Sequence, residues 1–200
     1  MKSRNDVFLA RQPIFDRQRK VAAYELLFRE DESGEARVTD DARATAQVIA
    51  HAFGRLGLNS VIGGSAGFVN VDAEMLMSGR VERLPRDRVV LELLETVTID
   101  CAVVERCSEL KHLGYRLALD DVCGVSREME PLLDIVDVVK IDILQLEPEA
   151  LEQLVRRLRL HPAKLLAEKV DTLERARRCI ELGFDLFQGY FYARPALLMA

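Results

Sequence analysis

Short runs of Val, Ile and Leu alternate along this chain with longer stretches in which apolar residues recur at helical spacing. Val7 to Phe15 and Val21 to Phe28 read as strands. Only Asp16-Arg17-Gln18-Arg19-Lys20 separates them, a connector too short for a parallel crossover, so the two pair antiparallel. Further strands are expected at Gly67–Val71, Arg88–Leu93, Tyr115–Leu119, Val138–Ile141, Lys164–Ala167 and Asp185–Phe187. Between them the period turns helical. Thr45, Val48, Ile49, Ala52, Phe53 and Leu56 form one stripe ended by Gly57, and Ile99, Val103, Cys107 and Leu110 another ended by Gly114. Pro148 opens a helix with Leu151, Leu154, Val155 and Leu158 on one face. Asp171-Thr172-Leu173-Glu174 reads as an N-cap with Glu at N3, opening a helix that stops at Gly183.

Near-continuous apolar strands alternating with helices imply an α/β fold with a parallel sheet covered by helices. About eight strands suffice to close a TIM-like (β/α)8 barrel, here with the first strand antiparallel to the rest. An open doubly wound sheet would need a Gly-rich phosphate turn after its first strand, and Arg29-Glu30-Asp31-Glu32 is nothing of the kind. Arg29 to Asp41 reads as a polar loop. Gly63-Gly64 reads as a plain flexible turn rather than a phosphate cradle, because no helix N-terminus follows at once. No repeat, low-complexity tract or long linker divides the chain, so residues 1–200 are expected to form a single domain.

The composition fits that picture: 200 residues, 49% hydrophobic and 30% charged, are those of an ordinary globular chain. No apolar run approaches the ~20 residues a membrane span needs, and the first residues lead into no signal-peptide core. A cytoplasmic protein is expected. With 28 Lys and Arg against 33 Asp and Glu, there is no basic stripe for double-stranded nucleic acid. Cys101, Cys107, Cys123 and Cys179 form no C-x-x-C pair and read as reduced thiols. His51, His112 and His161 fall on or beside helices as surface or packing residues, and Arg156-Arg157-Leu158-Arg159 is a solvated helix face.

The chemistry stands at the strand ends. Glu25, Asn70, Glu92, Asp120, Asp121, Lys140, Glu168 and Gln188 each interrupt or close an apolar strand. In a barrel those ends share one face, where active sites are built. That face would gather several carboxylates around Lys140 as the one cation. Two carboxylates ~4 Å apart repel by about 4 kcal/mol at an effective dielectric near 20, so the group needs a counter-charge. Oxygen ligands without His or Cys suit Mg2+ or Mn2+, with Ca2+ as an inhibitory substitute. Two such ions are a device for in-line attack on a phosphodiester, with a nearby lysine orienting the water or moving its proton. A Schiff-base role for Lys140 is disfavoured, because surrounding carboxylates hold its ammonium charged.

These residues resemble the EAL domain, the cyclic-di-GMP phosphodiesterase and receptor family. Gln12-Pro13-Ile14 and Tyr24-Glu25-Leu26-Leu27-Phe28-Arg29 are similar to its Q-P-I strand and E-A-L-x-R signature. Phe68-Val69-Asn70-Val71, Leu91-Glu92-Leu93-Leu94-Glu95, Asp120-Asp121, Lys140-Ile141-Asp142, Ala167-Glu168 and Gln188-Gly189-Tyr190 follow in family order. The resemblance implies hydrolysis of cyclic-di-GMP to pGpG at a two-metal site of Mg2+ or Mn2+. It assigns Glu25, Asn70, Glu92, Asp120, Asp121 and Glu168 to the metals. Lys140 falls near the nucleophilic water, with Glu25 and Glu168 beside it in catalysis. Gln12, Arg29 and Gln188 fall to the dinucleotide, and Glu95 to steadying the loop after the paired aspartates. The wording around Glu25, Glu168 and Gln188 is closest to the EAL half of EAL–HDOD proteins. That implies a module of a longer protein, with a C-terminal HDOD domain or another protein as partner, and a homodimer is a further family expectation.

Four positions depart from the family pattern. Val122-Cys123-Gly124-Val125 replaces F-G-T-G after the aspartates, in a loop tied to metal binding and dimerisation. Leu26 replaces a small Ala beside Glu25. Lys169 replaces a Gly beside Glu168, where its charge could stand in for a metal. Asp171 replaces a Glu. The alternative reading is therefore a catalytically degenerate module that binds cyclic-di-GMP, or only a protein partner.

Overall fold

The computed structural model describes residues 8–29 and 57–198. Its strands are β1 (Phe8–Asp16), β2 (Val21–Arg29), β3 (Ala66–Val71), β4 (Val89–Leu93), β5 (Arg116–Leu119), β6 (Val138–Asp142), β7 (Lys164–Glu168), β8 (Leu186–Phe187) and β9 (Ala196–Leu198). The helices are α1 (Leu58–Ile62), α2 (Ala73–Met77), α3 (Cys101–His112), α4 (Glu130–Leu133), α5 (Pro148–Leu158) and α6 (Leu173–Leu182), with a 3-10 turn at Val81–Arg83.

Strands β2 to β8 run parallel in chain order, and β1 lies antiparallel between β8 and β2, closing a barrel. The β1–β2 hairpin is set by Asp16, whose Oδ1 accepts from the backbone N–H of Gln18 at 2.9 Å and of Lys20 at 2.8 Å. This side chain mimics a backbone turn. Neighbouring strands pair alternately in step, as in Phe68 with Val90 and Ala118 with Val138, and offset by two, as in Glu92 with Ala118 and Lys140 with Leu166. Such stagger is what lets tilted strands close.

Side chains alternate faces along a strand, so each strand feeds two apolar layers. Ile14, Ala23, Phe68, Val90, Ala118, Val138, Leu166 and Leu186, one from each of β1 to β8, form a buried plug inside the barrel. The outward-facing set forms the larger core beneath the helices. Leu26 belongs to this outer layer, fully buried, with its Cδ1 3.2 Å from where a Cβ on Gly67 would stand. Its bulk therefore points away from Glu25, and the missing side chain of Gly67 makes the room.

Helix ends follow local chemistry. Asp72, Asp100 and Thr172 cap α2, α3 and α6 by accepting the N–H three residues on. The N-cap of α6 is thus Thr172, not Asp171, because the threonine Oγ1 reaches the N–H of Arg175 at 3.2 Å while the Asp171 carboxylate takes the Arg175 guanidinium. Gly183, at φ 101°, ends α6 as expected. Ile99 precedes the cap of α3 rather than lying in the helix. Gly63-Gly64 form a turn, as expected, and the short helix α1 precedes it, with Val61 and Ile62 buried against the barrel. Strand β9, pairing with Leu9 to Arg11, was not anticipated. The Thr45–Leu56 stripe, the Arg29–Asp41 loop, His51 and the side chain of Arg29 lie outside the described residues. Among the described residues, no helix is long and apolar enough to cross a membrane.

Candidate active site

The same strands that supply the apolar plug supply the site, one inward-facing position further toward the barrel mouth. Two residues beyond Ala23, Phe68, Val90, Ala118, Val138, Leu166 and Leu186 stand Glu25, Asn70, Glu92, Asp120, Lys140, Glu168 and Gln188. On the reversed strand β1, Gln12 stands two residues before Ile14. Asp120 and Gln188 lie just past their strands, yet their N–H groups continue the ladder to Leu93 and Ala167. The pleat thus turns scattered sequence positions into one polar ring.

Lys140 is the hub. Its side chain is 1% exposed, and its Nζ bonds a Glu92 carboxylate oxygen, lies 2.9 Å from Asp120 Oδ1 and 3.0 Å from Glu168 Oε1, and comes within 3.7 Å of Glu25 Oε1. Burial works against the ammonium, but Glu168, Glu25, Glu92 and Asp120 together hold its pKa well above the ordinary lysine value. One ammonium does not offset four carboxylates. Burial pushes Glu92 well above the usual carboxylate range against the pull of Lys140, with Glu25, Asp120 and Glu168 raising it further. Burial likewise takes Glu168 up to about 7, opposed by Lys140 and reinforced by Asp120 and Glu25. Gln188 Nε2 donates to Glu25 Oε2, and Gln12 Nε2 donates to the Ala193 carbonyl at 3.2 Å.

Asp121 leaves the ring. At φ 50° it turns out of β5 toward a second polar group, where Gln145 Nε2 donates to its Oδ2 at 3.1 Å and to Asp142 Oδ2 at 3.2 Å. Asp142 also accepts the Lys169 ammonium and, at 2.9 Å, the Leu144 N–H. Lys169 therefore does not lie among the Lys140 carboxylates. Glu95 is exposed and lines a cavity of about 190 Å3 with Asp120, Asp121, Cys123 and Gly124, beside the loop it was expected to steady. Asp142 and Gln145 were not singled out from the sequence. For Asp142 the signal was available, since it is the next inward position after Lys140.

Whether these residues suit a divalent cation turns on their donors. The buried oxygens Asn70 Oδ1, Glu92 Oε2 and Gln188 Oε1 accept no hydrogen bond, and buried acceptors seldom stay unpartnered. All the donors are oxygen, in a cluster short of positive charge, which fits a hard cation. The carboxylates close on Lys140 rather than on one another. Among the described residues, no three His, Cys, Asp or Glu side chains stand at metal-ligand spacing.

Beside the ring opens a cavity of about 510 Å3, reached by Gln12, Glu25, Glu168, Lys169, Gln188 and Tyr190. That is within the usual size range of small-ligand sites. Gly189 shapes its floor: at φ 150° its backbone lies so close to Val170 that a Cβ would stand 2.2 Å from the Val170 carbonyl oxygen. The other histidines and the arginine run lie elsewhere. His112 contacts the Ser108 carbonyl, His161 lies 2.7 Å from Asp134 Oδ1, and Arg156, Arg157 and Arg159 pair with Glu152, Glu130 and Asp185.

Residues 1–195 match the family described as EAL domain. The chain is 36% identical over 194 residues to the Cyclic di-GMP phosphodiesterase CdgJ of Vibrio cholerae, covering 96% of this chain and 45% of that protein. It is 35% identical over 196 residues to the Uncharacterized protein YuxH of Bacillus subtilis, covering 96% and 48%. The chain thus spans about half the length of the curated relatives it matches. Its fold is similar to the Bacillus subtilis YkuI protein, a structure with an EAL domain in complex with c-di-GMP and calcium. The TM-score is 0.77 at 23% identity, covering 98% of this chain and 56% of that one.

Proposed function

This chain belongs to the EAL domain family, and from that premise we propose that it hydrolyses cyclic-di-GMP to the linear dinucleotide pGpG with the help of Mg2+ or Mn2+. The observation that carries the reading is the ring of Glu25, Asn70, Glu92, Asp120 and Glu168 at the mouth of a closed barrel, in which the buried oxygens Asn70 Oδ1 and Glu92 Oε2 accept no hydrogen bond. The identity to a relative named as a cyclic di-GMP phosphodiesterase supports the substrate.

Glu25, Asn70, Glu92, Asp120, Asp121 and Glu168 would hold the ions, with the unpartnered oxygens of Asn70 and Glu92 the readiest to accept one. When bound, such ions polarise phosphoryl oxygens and lower the pKa of an attacking water. Lys140, held charged by its neighbours, is suited to orient that water by donating to it. Glu168, whose carboxyl burial raises to about 7 while no ion is bound, would give up its proton when a cation takes its oxygens. Gln188 holds Glu25 in place through its amide and, with Gln12, faces the cavity where the dinucleotide would lie.

Incubation with cyclic-di-GMP and Mn2+, followed by chromatography, tests the proposal. Appearance of pGpG in wild type but not in Glu25→Ala is the expected result. Absence of turnover above that control overturns it. A second reading is favoured by one feature, the closure of the carboxylates on Lys140 rather than on a shared metal position: a receptor that binds the nucleotide without cleaving it. Calorimetry that finds binding where chromatography finds no product selects the receptor.

A further inference from the structure

Lys169 is a basic side chain in an unusual backbone state. It follows Glu168 at the end of β7 with φ 55°, the left-handed region that L-residues with a Cβ seldom adopt. That turn carries its side chain off the strand line and over the cavity, where it is 58% exposed while its partner Asp142 is 4% exposed. Among the described residues it is the one basic side chain lining the 510 Å3 cavity, whose acidic members are Glu25, Glu168 and Asp171. Lys140 cannot serve the cavity in the same way, since four carboxylates enclose its ammonium.

Asp142 does not depend on Lys169 alone for its hydrogen bonds. The aspartate keeps the Leu144 N–H on Oδ1 at 2.9 Å and the Gln145 amide on Oδ2 at 3.2 Å, so the buried carboxylate stays hydrogen-bonded when the ammonium leaves. A phosphodiester entering a cavity walled by carboxylates meets repulsion that a mobile cation at its rim relieves. We propose that Lys169 is a substrate-binding residue whose ammonium exchanges Asp142 for a phosphate oxygen of the bound dinucleotide. This inference rests on the cyclic-di-GMP reading above and adds to it the residue that meets the nucleotide's outer charge.

Calorimetric titration of cyclic-di-GMP in Ca2+ buffer, on wild type, Lys169→Met and Lys169→Gly, tests it. Loss of a charge-assisted hydrogen bond weakens binding about ten- to hundredfold, and both variants are expected to show it. Added NaCl should weaken wild-type binding more steeply than Lys169→Met binding. The glycine variant separates the role from folding. Glycine adopts φ 55° freely, so its melting temperature should equal or exceed that of wild type while its affinity falls. Lys169→Met binding as tightly as a binding wild type overturns this inference alone. A wild type that takes up no cyclic-di-GMP overturns the parent reading and this inference with it.

Discussion

Lys140 Nζ lies 2.9 Å from Asp120 Oδ1, and the two residues stand two positions beyond Val138 and Ala118, which face each other in register across β6 and β5. The ion pair is therefore placed by the backbone ladder rather than by flexible side chains searching for each other. The apolar plug beneath it keeps water away from one side of the cluster, which strengthens every charge interaction above.

Removing that ammonium should be costly. Lys140→Met keeps the stem and leaves four carboxylates without their shared cation. In buffer free of divalent ions, urea unfolding should show a loss of about 3–5 kcal/mol at pH 8, and less at pH 5, where Glu92 and Glu168, both raised by burial, take up protons. A variant as stable as wild type at pH 8 would show that the four groups do not depend on Lys140.

Divalent ions should act in the opposite sense. A cation that binds only the folded cluster stabilises it by about 2.7 kcal/mol at a concentration 100-fold above its Kd. Mn2+ or Mg2+ should thus raise the melting temperature, EDTA should reverse the rise, and Glu92→Gln should blunt it. Melting curves indifferent to both ions would remove the metal from the account.

The Lys169–Asp142 pair should fade at both ends of the pH scale. Burial alone would raise the Asp142 pKa, but the Lys169 hydrogen bond, the Leu144 N–H and Gln145 bring it below the ordinary 3.8. Its contribution is complete above that value and lost as pH falls through the folded one. The Asp142 hydrogen bond raises Lys169 above 10.5, so that contribution is complete below 10.5 and lost as pH climbs past it. With Lys169 largely exposed, the pair is worth under about 1 kcal/mol. The stability gap between wild type and Lys169→Met, followed by urea unfolding, should be flat near neutrality and close at both extremes.

Gly189→Ala should damage fold and site together. Its Cβ would collide with the Val170 backbone, which is hydrogen-bonded to Gln188 and Phe191 at 3.0 Å each. A loss on the order of 3 kcal/mol in urea unfolding is expected, with weaker nucleotide binding in the fraction that stays folded. An unchanged midpoint would mean that the turn relaxes freely.

Much of this architecture was legible in the chain because period-two alternation makes position equivalent to direction. Glu25 and Glu92 break apolar runs from within, and Lys140 splits Val138-Val139 from Ile141. Each break marks an inward site one step above the plug. What was misplaced depended on geometry beyond a strand. Asp121 and Lys169 leave the pleat through positive φ angles, so counting along the strand misdirects them. Asp121 ends beside Gln145 instead of Lys140, and Lys169 on Asp142 instead of among the ring carboxylates. The capping of α6 by Thr172 turned on a single hydrogen bond that two adjacent residues could have made. Leu26, which looked like an obstruction beside Glu25, faces the opposite way because neighbours on a strand always do.

Barrel closure by β1 has a consequence for how the protein is made. Its pairs with β8, Phe15 to Phe187 and Asp16 to Leu186, join positions that are synthesised almost at opposite ends of the described chain. Contacts so distant in sequence form late and slowly. A nascent chain emerging from the ribosome can stack early strands and helices, but Gln188 cannot meet Glu25 until that final seam zips. The polar ring that joins Gln188 to Glu25 should therefore be completed in one step near the end of folding, and products truncated before β8 should lack it.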